Sequence, residues 1–195
     1  MITIIDYGAG NLKSVEKALN FLGYKTEVTD NPDKIKNAEK LILPGVGSFK
    51  NSMDKLHERG LAEAIKGVSA PLLGICLGLQ LLFEYSEEGD CEGLGMLEGR
   101  IKKIPDCGLK IPQIGWNSLN IRGGRLFEGV KNKSYVYFVH SYCLDARDKG
   151  VVSATVSYGA ELEIAVEYKN LFATQFHPEK SGGVGLRILE NFAKI

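Results

Sequence analysis

The chain has 195 residues, 44% hydrophobic and 25% charged, with 24 Lys plus Arg against 24 Asp plus Glu. That composition suits a globular protein that buries a sizeable core in one domain, residues 1–195. Zero net charge without a basic tail or stripe argues against nucleic acid as a partner, and the lack of any stretch near the roughly 18 apolar residues of a membrane helix argues against a membrane.

The first residues, Met1-Ile2-Thr3-Ile4-Ile5-Asp6, carry no basic start and no long apolar core, so no signal peptide is expected and the expected compartment is the cytoplasm. Cys76, Cys91, Cys107 and Cys143 form no C-x-x-C pair and do not cluster with the histidines, so neither a metal site nor a disulfide framework is expected. Residues 2–5 read as a β-branched strand, a Gly-rich turn follows, and Leu12, Val15, Ala18, Leu19 and Leu22 repeat at helical spacing. Gly8-Ala9-Gly10 lacks the third glycine of a dinucleotide fingerprint and the Gly-Lys-Ser/Thr of a P-loop, so it reads as a tight turn and no cofactor is expected.

A second strand is predicted over 24–29, a turn or helix start at Asn31-Pro32-Asp33, and a third strand over 40–43. Helices are predicted over 48–56 and 61–68, then a strand over 72–75 and a helical run over 77–85. Strands alternating with helices predict a flavodoxin-like α/β fold, with a mostly parallel central sheet covered by helices on both faces. The later chain changes character. Short alternating runs over 99–104, 116–121, 134–142, 151–158, 164–168 and 171–175 predict additional antiparallel strands, and a helix carrying Val184, Leu186, Leu189 and Phe192 ends the chain.

Three stretches carry chemistry. Gly74-Ile75-Cys76-Leu77-Gly78 joins a strand to a helix with the spacing of a nucleophile elbow, Cys standing where many hydrolases carry Ser. The turn leaves no room for Cβ atoms two residues either side, the helix start favours thiolate, and the Leu77 N–H can face an oxyanion. Taken alone, the stretch is also compatible with a core cysteine before a loop glycine. Gln175-Phe176-His177-Pro178-Glu179 places a base and a carboxylate two apart, on one side of an extended chain, so Glu179 can orient the His177 ring while the other nitrogen serves the thiol. The other histidines are worse placed: His57 lies in a polar helical stretch, and His140 ends a strand where it would orient the following loop. Pro44-Gly45-Val46-Gly47 ends a parallel strand, where a second oxyanion donor would come from Val46 or Gly47, or the glycines form a plain turn.

Taken in order, Pro44-Gly45-Val46-Gly47, Gly74-Ile75-Cys76-Leu77-Gly78-Leu79-Gln80 and Phe176-His177-Pro178-Glu179 resemble the class I (triad) glutamine amidotransferases. Narrower runs resemble the glutaminase subunits of imidazole glycerol phosphate synthase: Asp6-Tyr7-Gly8-Ala9-Gly10-Asn11-Leu12, Gly93-Leu94-Gly95, Gly115-Trp116-Asn117 and Tyr137-Phe138-Val139-His140-Ser141-Tyr142. Leu79 stands where Met is common in the family. The resemblance implies a Cys76, His177, Glu179 triad that hydrolyses L-glutamine. It implies an oxyanion hole from Leu77 and the strand of Gly45, Val46 and Gly47, and substrate contacts from Gln80, Glu88 and the backbone of Ser141 and Tyr142. It also implies a heterodimer with a barrel-type cyclase subunit, too large to lie within this chain, docking near Asn11, Trp116, Asn117, Tyr137 and Lys180.

Three other readings remain open at this stage. One is a glutaminase feeding anthranilate, pyridoxal phosphate or purine synthesis. Another is a γ-glutamyl hydrolase without a synthase partner. The third is a catalytically dead binding domain on the same fold, against which the complete Cys76, His177 and Glu179 set argues.

Overall fold

A computed structural model describes residues 1–195. Four strands, β1 (Ile2–Ile5), β2 (Thr26–Thr29), β3 (Leu41–Gly45) and β4 (Leu72–Cys76), are connected by α1 (Leu12–Phe21), α2 (Pro32–Lys36), α3 (Phe49–Glu58) and α4 (Leu61–Lys66). After β4 come α5 (Leu77–Leu81), β5 (Phe83–Ser86), β6 (Cys91–Glu92), β7 (Leu97–Lys103), β8 (Gln113–Ile121), β9 (Tyr135–His140), β10 (Tyr142–Ala146), β11 (Val152–Tyr158), β12 (Ala160–Tyr168), β13 (Leu171–Thr174) and α6 (Gly182–Lys194). The expected α/β sheet is present. Its order is β2-β1-β3-β4-β13-β12-β10-β7-β5-β6, and β11, β8 and β9 branch from β12. β2, β1, β3, β4 and β13 run parallel. β12, β10 and β7 extend that sheet by antiparallel pairing.

Side-chain alternation sends Ile5, Leu41, Leu43 and Leu72 to one face, where they pack with Ile35, Met53, Leu56 and Ile65 of α2, α3 and α4. Ile2, Ile4, Ile42, Leu73 and Ile75 go to the other, with Val15 and Leu19 of α1 and Ile188 and Phe192 of α6. Both faces of the parallel sheet are therefore dry, which is why its strands read as apolar runs.

The return strand β13 pairs with β4, register Thr174↔Ile75, while β3 flanks β4 on its other side, register Gly45↔Cys76. The carboxyl ends of β3, β4 and β13 thus meet at one place, residues far apart in sequence but adjacent across the sheet.

Two predicted boundaries are corrected. The helical run over 77–85 is helix only to Leu81, and β5 begins at Phe83. Residues 93–97 terminate it: the amides of Leu94, Met96 and Gly95 donate to the carbonyls of Leu81, Leu82 and Phe83. A run buried on every side carries no phase to mark its end. The strand expected over 134–142 breaks at Ser141, because β9 pairs with β8 whereas β10 pairs with β7 and β12.

A Cβ on Gly93 would lie 2.1 Å from the Phe83 carbonyl oxygen, so this loop closes over the helix end only without a side chain. Gly93→Ala should lower unfolding free energy by about 2–3 kcal/mol in a urea titration. Gly183→Ala, with open space at its Cβ, should not destabilise the chain.

Candidate active site

Cys76 ends β4 with φ 55° and ψ −110°, a conformation that L-residues adopt at a cost of about 1–3 kcal/mol. The neighbouring glycines make it feasible. A Cβ on Gly78 would fall 1.8 Å from the Leu43 carbonyl oxygen, and one on Gly74 would fall 2.7 Å from the Gly78 carbonyl oxygen. The elbow expected from the glycine spacing is therefore formed, with backbone packed on backbone. The helix behind it spans only Leu77–Leu81, too short for a strong macrodipole. Charge on the sulfur must be answered by side chains and by the nearest amides.

His177 is brought to the sulfur by β13 and held by three backbone-level bonds. Its N–H donates to the Tyr137 carbonyl (3.0 Å), its carbonyl accepts from Ser181 Oγ (2.6 Å), and Ser181 Oγ accepts from the Tyr137 N–H (3.0 Å). The ring donates from Nδ1 to Glu179 Oε1 at 2.8 Å, which leaves Nε2 as the proton acceptor. The pairing expected from an extended chain occurs by another route: Glu179 lies in a 3₁₀ turn, Pro178–Lys180, which folds its carboxylate back under the ring. Both side chains are buried, 2% and 1% exposed, and Nε2 makes no hydrogen bond.

Burial pulls the His177 pKa down, but the Cys76 sulfur and the Glu179 carboxylate outweigh it and push the value up to about 9. Since the protonated ring is favoured by the fold, its contribution to stability is full below the ordinary 6.5 and is lost as pH rises through about 9.

A cavity of about 320 Å³ opens over these groups, at the small end for ligand sites. Cys76, Leu77, Gln80 and His177 line it, together with Val46 and Gly47 after β3 and with Glu88, Pro112, Val139, His140, Ser141 and Tyr142. Glu88 Oε2 accepts from the Phe49 N–H at 3.0 Å, so part of its carboxylate caps α3. Gly45 lies one layer below the cavity. A Cβ there would sit 2.8 Å from the Gly78 N, the Leu77 Cβ and the Tyr7 hydroxyl, so its glycine serves the packing of the elbow. Glu179 also lies outside the lining, behind His177.

Four residues at the site were not singled out from sequence as its parts: Pro112, Val139, His140 and Gln175. His140 does hold its loop. Its Nδ1 lies 2.8 Å from the Tyr142 carbonyl and its Nε2 2.9 Å from the Gln113 side chain. The Tyr142 carbonyl and Gln113 Oε1 are both acceptors, so the neutral ring donates its one hydrogen to one of them, from Nδ1 to Tyr142 or from Nε2 to Gln113. Burial, with the nearby His177 charge, drops its pKa to about 4, against the pull of the Tyr142 carbonyl, and keeps it neutral. The signal for Gln175 was present: an amide inside the apolar run over 171–176. No group of three or more His, Cys, Asp or Glu is placed to hold a metal, and all four cysteines are free thiols.

A nucleophilic elbow, a buried imidazole–carboxylate pair and a Gly-rich strand now stand around one cavity. The profile of class-I glutamine amidotransferases matches residues 3–195. The chain belongs to the class-I glutamine amidotransferase family. It is 50% identical to the imidazole glycerol phosphate synthase subunit HisH of Moorella thermoacetica, over all of this chain and 94% of that protein. It is also 50% identical to the subunit of the same name from Caldanaerobacter subterraneus subsp. tengcongensis, over all of this chain and 98% of that one. A crystal structure of a glutamine amidotransferase, 20% identical, superposes with a TM-score of 0.76 over 99% of this chain and 100% of its own, which speaks to the fold. Amidotransferase membership agrees with the family drawn from the three motifs.

Since Glu179 shares with the Cys76 sulfur in raising the His177 pKa, Glu179→Gln should move the His177 midpoint down from about 9 by about 1–2 pH units in a histidine NMR titration. An unmoved midpoint would contradict the assignment.

Proposed function

We propose that this chain is the glutaminase subunit of an imidazole glycerol phosphate synthase, hydrolysing glutamine through a Cys76 thioester and passing ammonia to a barrel-type cyclase subunit. The carrying observation is the Cys76 elbow and the buried His177, backed by Glu179, with Cys76 and His177 lining a cavity of about 320 Å³. The chain acts as a single amidotransferase domain, in a heterodimer, in the cytoplasm. That compartment suits a biosynthetic enzyme whose cysteines are all reduced.

Cys76 Sγ attacks the side-chain carbonyl carbon of glutamine. The oxyanion is met by the Leu77 N–H and by a peptide N–H of the strand through Gly45, Val46 and Gly47, nearest at Val46 and Gly47, which line the cavity. His177 gives its proton to the leaving nitrogen as the C–N bond breaks, and ammonia departs. Water, deprotonated at His177, then attacks the thioester, and glutamate and the thiolate are released. Gln80 and Glu88 receive the substrate α-ammonium, and the backbone of Ser141 and Tyr142 receives its α-carboxylate.

Ammonia released into water would be lost, so the outlet must be covered. The β8–β9 hairpin beside the cavity presents Ile114 opposite Val139 and Trp116 opposite Tyr137. Ile114 and Trp116 are more than half exposed, Val139 over a third, and Trp116 and Tyr137 stack edge-on at 6.0 Å. Such an apolar face next to a site suits a protein partner. The same partner would set the oxyanion peptide. Gly47 has φ 100° and open space around its Cβ position, so the Val46–Gly47 peptide has room to turn its N–H toward or away from the sulfur.

Glutamine hydrolysis should therefore be weak for the chain alone and rise strongly with the cyclase and its nucleotide ligand. Cys76→Ala should lose at least about 10³-fold of the stimulated rate. Vigorous hydrolysis indifferent to the cyclase would remove the coupling, and hydrolysis by Cys76→Ala would remove the nucleophile.

A further inference from the structure

The steps above leave one buried polar side chain against the sulfur without a task. Gln175 follows β13 and is completely buried. Its Nε2 donates toward Cys76 Sγ at 3.6 Å, and its Oε1 accepts from Gln80 Nε2 at 3.0 Å. An amide in a dry layer costs free energy unless paired, and here both ends are paired with residues of the site.

We propose that Gln175 is a further catalytic residue, whose side-chain N–H stabilises the Cys76 thiolate in the orientation that Gln80 imposes. The reason lies in the two ends of the amide. With its oxygen toward the sulfur, Gln175 would set an acceptor against a thiolate. Gln80 Nε2 occupies that oxygen, so the NH₂ end faces Sγ. The sulfur then has a partner in each protonation state: the Val139 carbonyl at 4.0 Å accepts from the thiol, and Gln175 donates to the thiolate. Hydrogen bonds to a charged group are the stronger kind. His177 Nε2 makes no hydrogen bond in this geometry although the sulfur raises its pKa, so Gln175 is a second partner of the sulfur, beside His177, before substrate arrives. Gln80 keeps its own Oε1 for the cavity, so one hydrogen bond links the substrate end of the site to the group that holds the nucleophile's charge.

This rests on the reading of Cys76 as nucleophile, and the two are tested separately. The pH profile of Cys76 alkylation by iodoacetamide, read by peptide mass spectrometry on the full chain, needs no glutamine turnover. The Cys76→Ala hydrolysis assay needs no alkylation. Other titratable groups face the sulfur: His177 backed by Glu179 from the turn after β13, the Tyr7 phenol from the loop after β1, and His140 and Glu88 from the cavity wall. All remain in place in Gln175 variants.

Gln175→Met keeps the shape and removes the donor. It should raise the alkylation midpoint by about 1 pH unit, a roughly tenfold slower reaction below both midpoints. Gln175→Glu should raise it further, by placing a carboxylate there. A Met variant that melts like the wild type with an unmoved or lower midpoint would overturn the proposal. If the variants do not fold, the wild-type chain decides: the ¹⁵N side-chain amide signal of Gln175 should titrate with the Cys76 alkylation midpoint, and a signal constant across that range would overturn it.

Discussion

The contact on which this structure depends is backbone against backbone: the Gly78 α-carbon against the Leu43 carbonyl. It lets α5 start directly behind β4 and forces the chain to turn within one residue. That residue is Cys76, held at φ 55° between β3 and β13. A strain of about 1–3 kcal/mol persists there because strands on both sides and a dry core on both faces over-determine the position. The result is a side chain lifted to the lining of the cavity yet only 7% exposed.

Electrostatics completes what the turn begins. A five-residue helix adds little field, so the charge on the sulfur is answered by neighbours that the sheet order delivers. The segment leaving β13 supplies Gln175 and His177, and Ser181 ties His177 to β9, where the same strand carries the exposed Tyr135, Val139 and the stacked Tyr137. The base and the exposed apolar face of β8 and β9 therefore share one hydrogen-bonded scaffold. A partner seated on that face, as proposed, would act through this scaffold on the position of the imidazole.

Much of this was legible in the chain because the relevant constraints are local. Gly74 and Gly78 straddle Cys76 for steric reasons that spacing alone reveals, and the β-branched and apolar runs of β1, β3 and β4 mark strands buried on both faces. What was not legible depends on distant pairing. The end of α5 at Leu81 is set by amides of Leu94, Gly95 and Met96, and the break at Ser141 by a change of partner strand. Glu179 reaches His177 through a 3₁₀ turn although an extended chain was the expectation, and Gly45 supports the elbow from below although a place at the cavity was expected. Gln175 hid inside an apolar strand, since nothing in a single sequence says which polar residue a strand will lay against a sulfur.

The central claim is that Cys76 is the covalent nucleophile of a glutaminase. Acid quenching during turnover with glutamine and the cyclase, followed by peptide mass spectrometry, tests it most directly. The account predicts a γ-glutamyl adduct mapped to Cys76 and absent from Cys91, Cys107 and Cys143. An adduct on another residue, or undiminished turnover by Cys76→Ala, would contradict it.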